Sequence, residues 1–182
     1  MPISKRSSRI GGIVVAAALA FTPAATHAAT GGTSPGGTTT SAETVSGSKA
    51  KLVHGKAIAP ESAPRRVKRV IAAANHIRNK PYKWGGGHGS WEDSGYDCSG
   101  AVSYALHGGN LLSAPLASSG LARWGRPGKG HWISVFGNSG HAYMIVAGLR
   151  FDTAMTRGDG PSWSRSLQSI GGTFSKRHAG SL

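Results

Sequence analysis

Tyr96-Asp97-Cys98-Ser99-Gly100-Ala101-Val102-Ser103-Tyr104-Ala105-Leu106-His107-Gly108-Gly109 reads as a helix whose first turn carries the only cysteine of the 182-residue chain. Asp97 suits the N-cap, Gly108-Gly109 stops the helix, and Ala101, Val102, Ala105 and Leu106 recur at the spacing of one buried face. The helix is therefore predicted over 98–107. A thiol in that turn meets unpaired backbone N–H groups and the positive end of the helix dipole, both of which favour thiolate. With no second cysteine, an intrachain disulfide is excluded. Cys98 is then either a reactive nucleophile or a small buried filler.

Upstream of that helix lies Tyr82-Lys83-Trp84-Gly85-Gly86-Gly87-His88-Gly89-Ser90-Trp91-Glu92-Asp93-Ser94-Gly95. It lacks the spacing and lysine of a phosphate-binding loop, so its glycines are read as permitting close backbone approach of a ligand. Before it, Val67, Val70, Ile71, Ala74 and Ile77 follow helical spacing, with Arg65, Arg66, Lys68, Arg69 and Arg78 on the other faces. Ser62 is the expected cap and Pro64 the first-turn residue.

Further upstream, residues 29–62 are rich in Gly, Ser, Thr and Ala and carry few large apolar side chains. Such a segment buries too little to offset its ordering entropy, so a flexible tether is predicted there. Residues 1–28 have a basic start (Lys5, Arg6, Arg9), an apolar run and the small-residue exit Thr26-His27-Ala28. This is the pattern of a cleaved secretory signal. Its apolar run, about a dozen residues, falls short of the roughly 20 needed to span a bilayer. No adjacent arginine pair precedes it, which favours the general export route. A protein at the cell wall or outside the cell is expected, with no membrane span after cleavage.

Downstream, strands are predicted over 132–136, 141–147 and 149–153, with a last one over 172–176. Helix first and sheet later, in one unit over 63–182, indicates an α+β domain.

A cysteine nucleophile needs a base. His107 lies about 13 Å along the helix axis from Cys98, too far to serve. His88, His131 and His141 remain, and His141 opens a strand directly after the turn Gly137-Asn138-Ser139-Gly140. Asp152 is the natural residue to orient it. A two-residue loop at Ala147-Gly148 puts Asp152 diagonal to His141 on one face; a three-residue loop puts Thr153 there instead. Alternatively Asp152 is a strand-end carboxylate paired with Arg150 or Arg157. Cys98, His88 and His141 could be drawn as a zinc site, but no ligand pair has closed-site spacing. No metal or other cofactor is expected.

Pro81-Tyr82-Lys83-Trp84-Gly85-Gly86, then Asp97-Cys98-Ser99-Gly100, then Gly140-His141-Ala142-Tyr143-Met144 resembles the NlpC-type cell-wall cysteine peptidases. The resemblance implies a papain-like α+β core with the nucleophile helix packed on a small antiparallel sheet. It implies hydrolysis of peptidoglycan stem peptides, commonly at the γ-D-glutamyl–diamino acid bond. By the match Cys98 is the nucleophile and His141 the base. The family's third position is usually His, Asn or Gln; an ungapped match places Thr153 there and a one-residue gap places Asp152, the chemically better orienter. Tyr82 lines the site, with Trp84, Gly85, Gly86 and Ser99 on the substrate side. The chain departs from the family in having His131-Trp132-Ile133-Ser134 where many members have Gly-Asp-Leu, and in its elaborated loop 89–95. Two other readings use the same core: an amidase, transferase or acyl-hydrolase, and a non-catalytic wall-binding protein with an idle site.

The net charge is +14, and ten Lys/Arg lie between Lys49 and Lys83, where Glu61 is the only acid. Such a block favours polyanions. For an exported protein these are peptidoglycan and anionic wall polymers; nucleic acid is not expected. The alternative is a solvated stretch that serves solubility.

Overall fold

The computed structural model describes residues 43–155, 159–168 and 170–182. The expected signal peptide, residues 29–42 of the expected tether, and Arg157 lie outside them. Three short strands come first: β1 (Thr44–Val45), β2 (Lys51–Val53) and β3 (Lys56–Pro60). Helices α1 (Arg65–Ile77), α2 (Cys98–Gly108) and α3 (Ser118–Leu121) follow. Then come β4 (Arg126–Pro127), β5 (Ile133–Gly137), β6 (Ala142–Val146), β7 (Leu149–Asp152), β8 (Ser162–Ser164) and β9 (Ser175–His178). Among the described residues, the main sheet is six-stranded and antiparallel, in the order β4-β9-β5-β6-β7-β8. The α+β class and the Cys98-bearing helix packed on an antiparallel sheet are as expected. No described helix is long and apolar enough to cross a membrane.

Alternation along the strands sorts the sheet into two faces. Val135, Met144, Phe151 and Trp163 form one cross-strand row and join the core built with α1 and α2. Phe136, Tyr143, Ile145, Arg150 and Asp152 belong to the opposite face. The predicted apolar faces of both helices are buried, Val67, Val70, Ile71, Ala74 and Ile77 on α1 and Ala101, Val102, Ala105 and Leu106 on α2. Burial of each such side chain is worth roughly 1.5–3 kcal/mol for the larger ones. The glycines at the end of α2 do more than stop it. A Cβ on Gly108 would lie 2.4 Å from that of Ala73, and one on Gly109 would lie 2.4 Å from Val70 Cγ2, so the pair lets α2 seat against α1. The left-handed residue there is Asn110 (φ 56°), while Gly109 itself has φ −83°.

Two expectations need correction. Ser62 does not cap α1: its hydroxyl donates to the Gly47 carbonyl, and Pro64 holds the N-cap position. The predicted tether also does not run to residue 62, because β1, β2 and β3 form an ordered three-stranded sheet. Ala57, Ile58 and Ala59 are buried there. Asn75 of α1 supplies the order, its Oδ1 accepting from Ala57 N (2.9 Å) and its Nδ2 donating to Ala57 O (2.8 Å), as a neighbouring strand would. The same Oδ1 accepts from Trp163 Nε1 at 3.0 Å, tying β3, α1 and β8 through one amide. This is a tertiary effect that composition does not reveal.

Candidate active site

Cys98 opens α2 and is 9% exposed. Asp97 caps the helix as predicted: Oδ1 accepts from Gly100 N (2.7 Å) and Ser99 Oγ (3.0 Å), and Oδ2 accepts from Gly85 N (3.1 Å). The glycine-rich loop thus docks on the helix start. A Cβ on Gly100 would sit 2.0 Å from the Gly86 carbonyl oxygen, so these two glycines bring loop and helix together rather than admitting a ligand between them. Residues 88–95 are clamped to α2 as well. Trp91 stacks on His107 at 4.0 Å, the Tyr96 hydroxyl donates to Trp91 O, and Tyr104 donates to Glu92 (2.8 Å). Asp93 accepts from Lys83 Nζ, Gly87 N and Ser94 N, and the lysine hydrogen bond leads in holding its carboxyl well below the usual range.

His141 stands at the start of β6. The turn before it is built on Asn138, whose Oδ1 accepts from the backbone N–H of Gly140 (2.9 Å) and of His141 (2.8 Å). The β6–β7 connection has two residues, Ala147 and Gly148, both left-handed (φ 47° and 84°), as a type I′ hairpin requires. That register resolves the choice between neighbours. His141 Nε2 donates to Asp152 Oδ1 at 2.8 Å, and Thr153 is not its partner. The pairing of Asp152 with Arg150 is equally real, since Nε and Nη2 both donate to Oδ2, at 3.0 and 2.5 Å. With Nε2 committed to the carboxylate, Nδ1 is the ring nitrogen left for Cys98, whose proximity helps raise the imidazole's pKa.

Burial of the His141 ring acts to lower its pKa, but the hydrogen bonds and charges of Asp152 and Cys98 outweigh it and raise the value to about 9. Burial likewise opposes ionisation of Asp152; the hydrogen bond and charge of His141, with the charge of Arg150, win and lower its pKa. Tyr82 is raised by burial and by the nearby Cys98 and Asp97 charges, so its hydroxyl stays protonated as a donor.

The remaining predicted residues divide. Tyr82 and Trp84 are exposed, at 39% and 87%. Ser99 is buried and its hydroxyl is engaged by Asp97 and His88, while Gly85 and Gly86 serve the loop–helix contact. His88 Nε2 lies 3.1 Å from both Asp97 Oδ1 and Ser99 Oγ. His131 packs edge-on to Trp132. Among the described residues no group of three or more His, Cys, Asp or Glu side chains is placed to hold a metal ion. Sequence reasoning missed the depth of Arg150, which is fully buried. A cation inside an apolar strand run, two residues before a carboxylate, was the available signal. On the same sheet face a groove of about 480 Å³ is lined by Phe136, Tyr143, Ile145, Phe174, Lys129 and Lys176.

No protein-family model matches the sequence, and comparison with curated proteins finds no match. Solved structures do match. The P60 domain of antigen MAP1204 from Mycobacterium avium subspecies paratuberculosis aligns with a TM-score of 0.50 and 24% identity, over 62% of this chain and 94% of that one. The peptidoglycan hydrolase RipB of Mycobacterium tuberculosis aligns at 0.49 and 24%, over 64% and 68%. RipD of the same organism, a non-catalytic NlpC/p60 domain protein, aligns at 0.49 and 20%, over 64% and 98%. The chain has the fold of the NlpC/P60 domains.

Proposed function

We propose that this protein is an exported cysteine peptidase that cleaves stem peptides of peptidoglycan, at the γ-D-glutamyl–diamino acid bond. The observation that carries the reading is the grouping of Cys98, His141 and Asp152: a thiol at a helix start, an imidazole whose pKa the thiol helps to raise, and a buried carboxylate fixing the imidazole's Nε2. Cys98, Asp97 and His141 also lie in the motifs that resemble the NlpC-type peptidases.

The chemistry runs as acyl transfer. Cys98 Sγ, as thiolate, attacks the scissile carbonyl. The oxyanion is held by the Cys98 backbone N–H, with the Tyr82 hydroxyl as second donor. His141 Nδ1 gives its proton to the leaving nitrogen as the C–N bond breaks, leaving a thioester. Water then loses a proton to His141 and attacks the thioester carbon, which releases the acid and returns Cys98 as thiolate beside the imidazolium. Asp97, engaged as a cap, takes no part. The signal-like residues 1–28 support export, and the basic surface supports attachment to an anionic wall.

Digestion of purified muropeptides, read by mass spectrometry, tests the reading. The expected products are stem peptides split after the γ-D-glutamyl residue, with Cys98→Ala inert. A cut only between sugar and alanine would make the protein an amidase. Retention on the wall without any cut would make it a binding protein.

A further inference from the structure

We propose that Arg150 is the positioning residue of this site: it holds the Asp152 carboxylate with Oδ1 turned to His141 and draws the rest of its charge away from the imidazole. The proposal rests on the catalytic reading of Cys98 and His141. Arg150 is 0% exposed and leads the fully buried large side chains. Its two prongs, Nε and Nη2, converge on Asp152 Oδ2, and this fork resists rotation of the carboxylate. Oδ1 is thereby left to His141 Nε2 (2.8 Å) and Ala154 N (3.1 Å). The guanidinium is itself confined. Its Cζ lies 3.8 Å from the centre of the Tyr143 ring, which stacks on Phe136 at 4.7 Å. Nη1 donates to the Gln168 carbonyl, so the segment after β8 is fastened to the same group.

The arrangement answers two opposing demands. A carboxylate with no exposed side chain and only an imidazole beside it is driven to take up a proton, and a permanent cation prevents that. Yet a carboxylate given wholly to His141 would hold the imidazolium proton too firmly for transfer to the leaving nitrogen. Division between Arg150 and His141 leaves a charged histidine that still gives up its proton. A lysine would supply the charge without the fork, and could not grip Asp152 and the Gln168 carbonyl in one plane.

A double-mutant cycle tests this, read as the rate at which iodoacetamide alkylates Cys98 at neutral pH, followed by mass. No substrate is involved, so the result is separable from the muropeptide digest. Arg150→Met and Arg150→Lys should each slow alkylation by about tenfold or more in the native background. In an Asp152→Asn background neither should slow it further, because Arg150 acts only through Asp152. Equal losses in both backgrounds would reduce Arg150 to a core residue and overturn the proposal, as would alkylation of Arg150→Met at the native rate. If Arg150→Met fails to fold by circular dichroism, Arg150→Lys, which keeps the charge and most of the volume, decides between the same outcomes. Native reactivity together with intact muropeptides would sink the peptidase reading and leave the role of Arg150 standing.

Discussion

At the scale of single residues, the site turns on how one carboxylate is shared. Asp152→Asn keeps the shape but removes the charge that holds the imidazolium, and we expect hydrolysis to fall by about a hundredfold or more. Thr153→Ala should stay near the native rate; the reverse pattern would place the third position at Thr153. Titration follows from the same contacts. The His141 pKa is raised from 6.5 to about 9, so its contribution to stability is full below about pH 6.5 and is lost as the pH climbs through about 9. Asp152 is lowered below its ordinary value of 3.8, so its contribution is present above that pH and is lost on acidification. Melting temperature against pH should therefore decline on the alkaline side, and His141→Gln should flatten that limb. An unchanged limb in the variant would detach His141 from the stability of the fold. Cys98 and His141 were legible because local signals mark them, a cap and a turn; Asp152 was favoured over Thr153 only on its chemistry, because the sequence does not fix the length of the hairpin loop. Arg150 was visible only as one possible partner of Asp152, since a strand pattern does not tell how deeply a cation is buried.

At the scale of elements, the small residues carry more than turns. Gly100 faces the Gly86 carbonyl, and a methyl group there would push the Tyr82–Trp84 loop off the start of α2. Gly100→Ala should lower peptidase activity more than Gly109→Ala, although both overpack and each should cost about 1–3 kcal/mol in denaturant unfolding. Equal activity losses would show that the loop's seat on α2 does not matter to the site. Helices α1 and α2 were readable from periodicity, because their apolar faces are long enough to show it; the four-residue α3 is too short to do so. The three-stranded sheet was not. Its residues are small and its strands short, and what orders them is the amide of Asn75, far away in sequence. Asn75→Ala would leave the Ala57 backbone pair and Trp163 Nε1 without this partner, at about 1–3 kcal/mol for each buried group left unsatisfied. Thermal unfolding that matches the native protein would refute that role.

At the scale of the whole molecule, two basic residues expected on a loose tether are held by strands instead, alongside those expected on α1. Lys51 and Lys56 are exposed on β2 and β3, and Arg65, Arg66 and Arg69 on the outer side of α1. A fixed charged surface binds a polyanion with a defined footprint and loses affinity as salt screens it. Arg65→Glu with Arg69→Glu should weaken co-sedimentation with purified cell walls at low salt and blunt its salt dependence. Unchanged pelleting would make the charge incidental. The Asn75 knot also bears on how the protein is handled. A recombinant fragment begun at residue 63, where composition suggests the domain starts, would strip β3 from α1, bare the flank around Ile71 and leave half of the Asn75 amide facing solvent. Such a truncation would be the wrong material for any assay, prone to clump in the tube; a sound product should retain β1, β2 and β3.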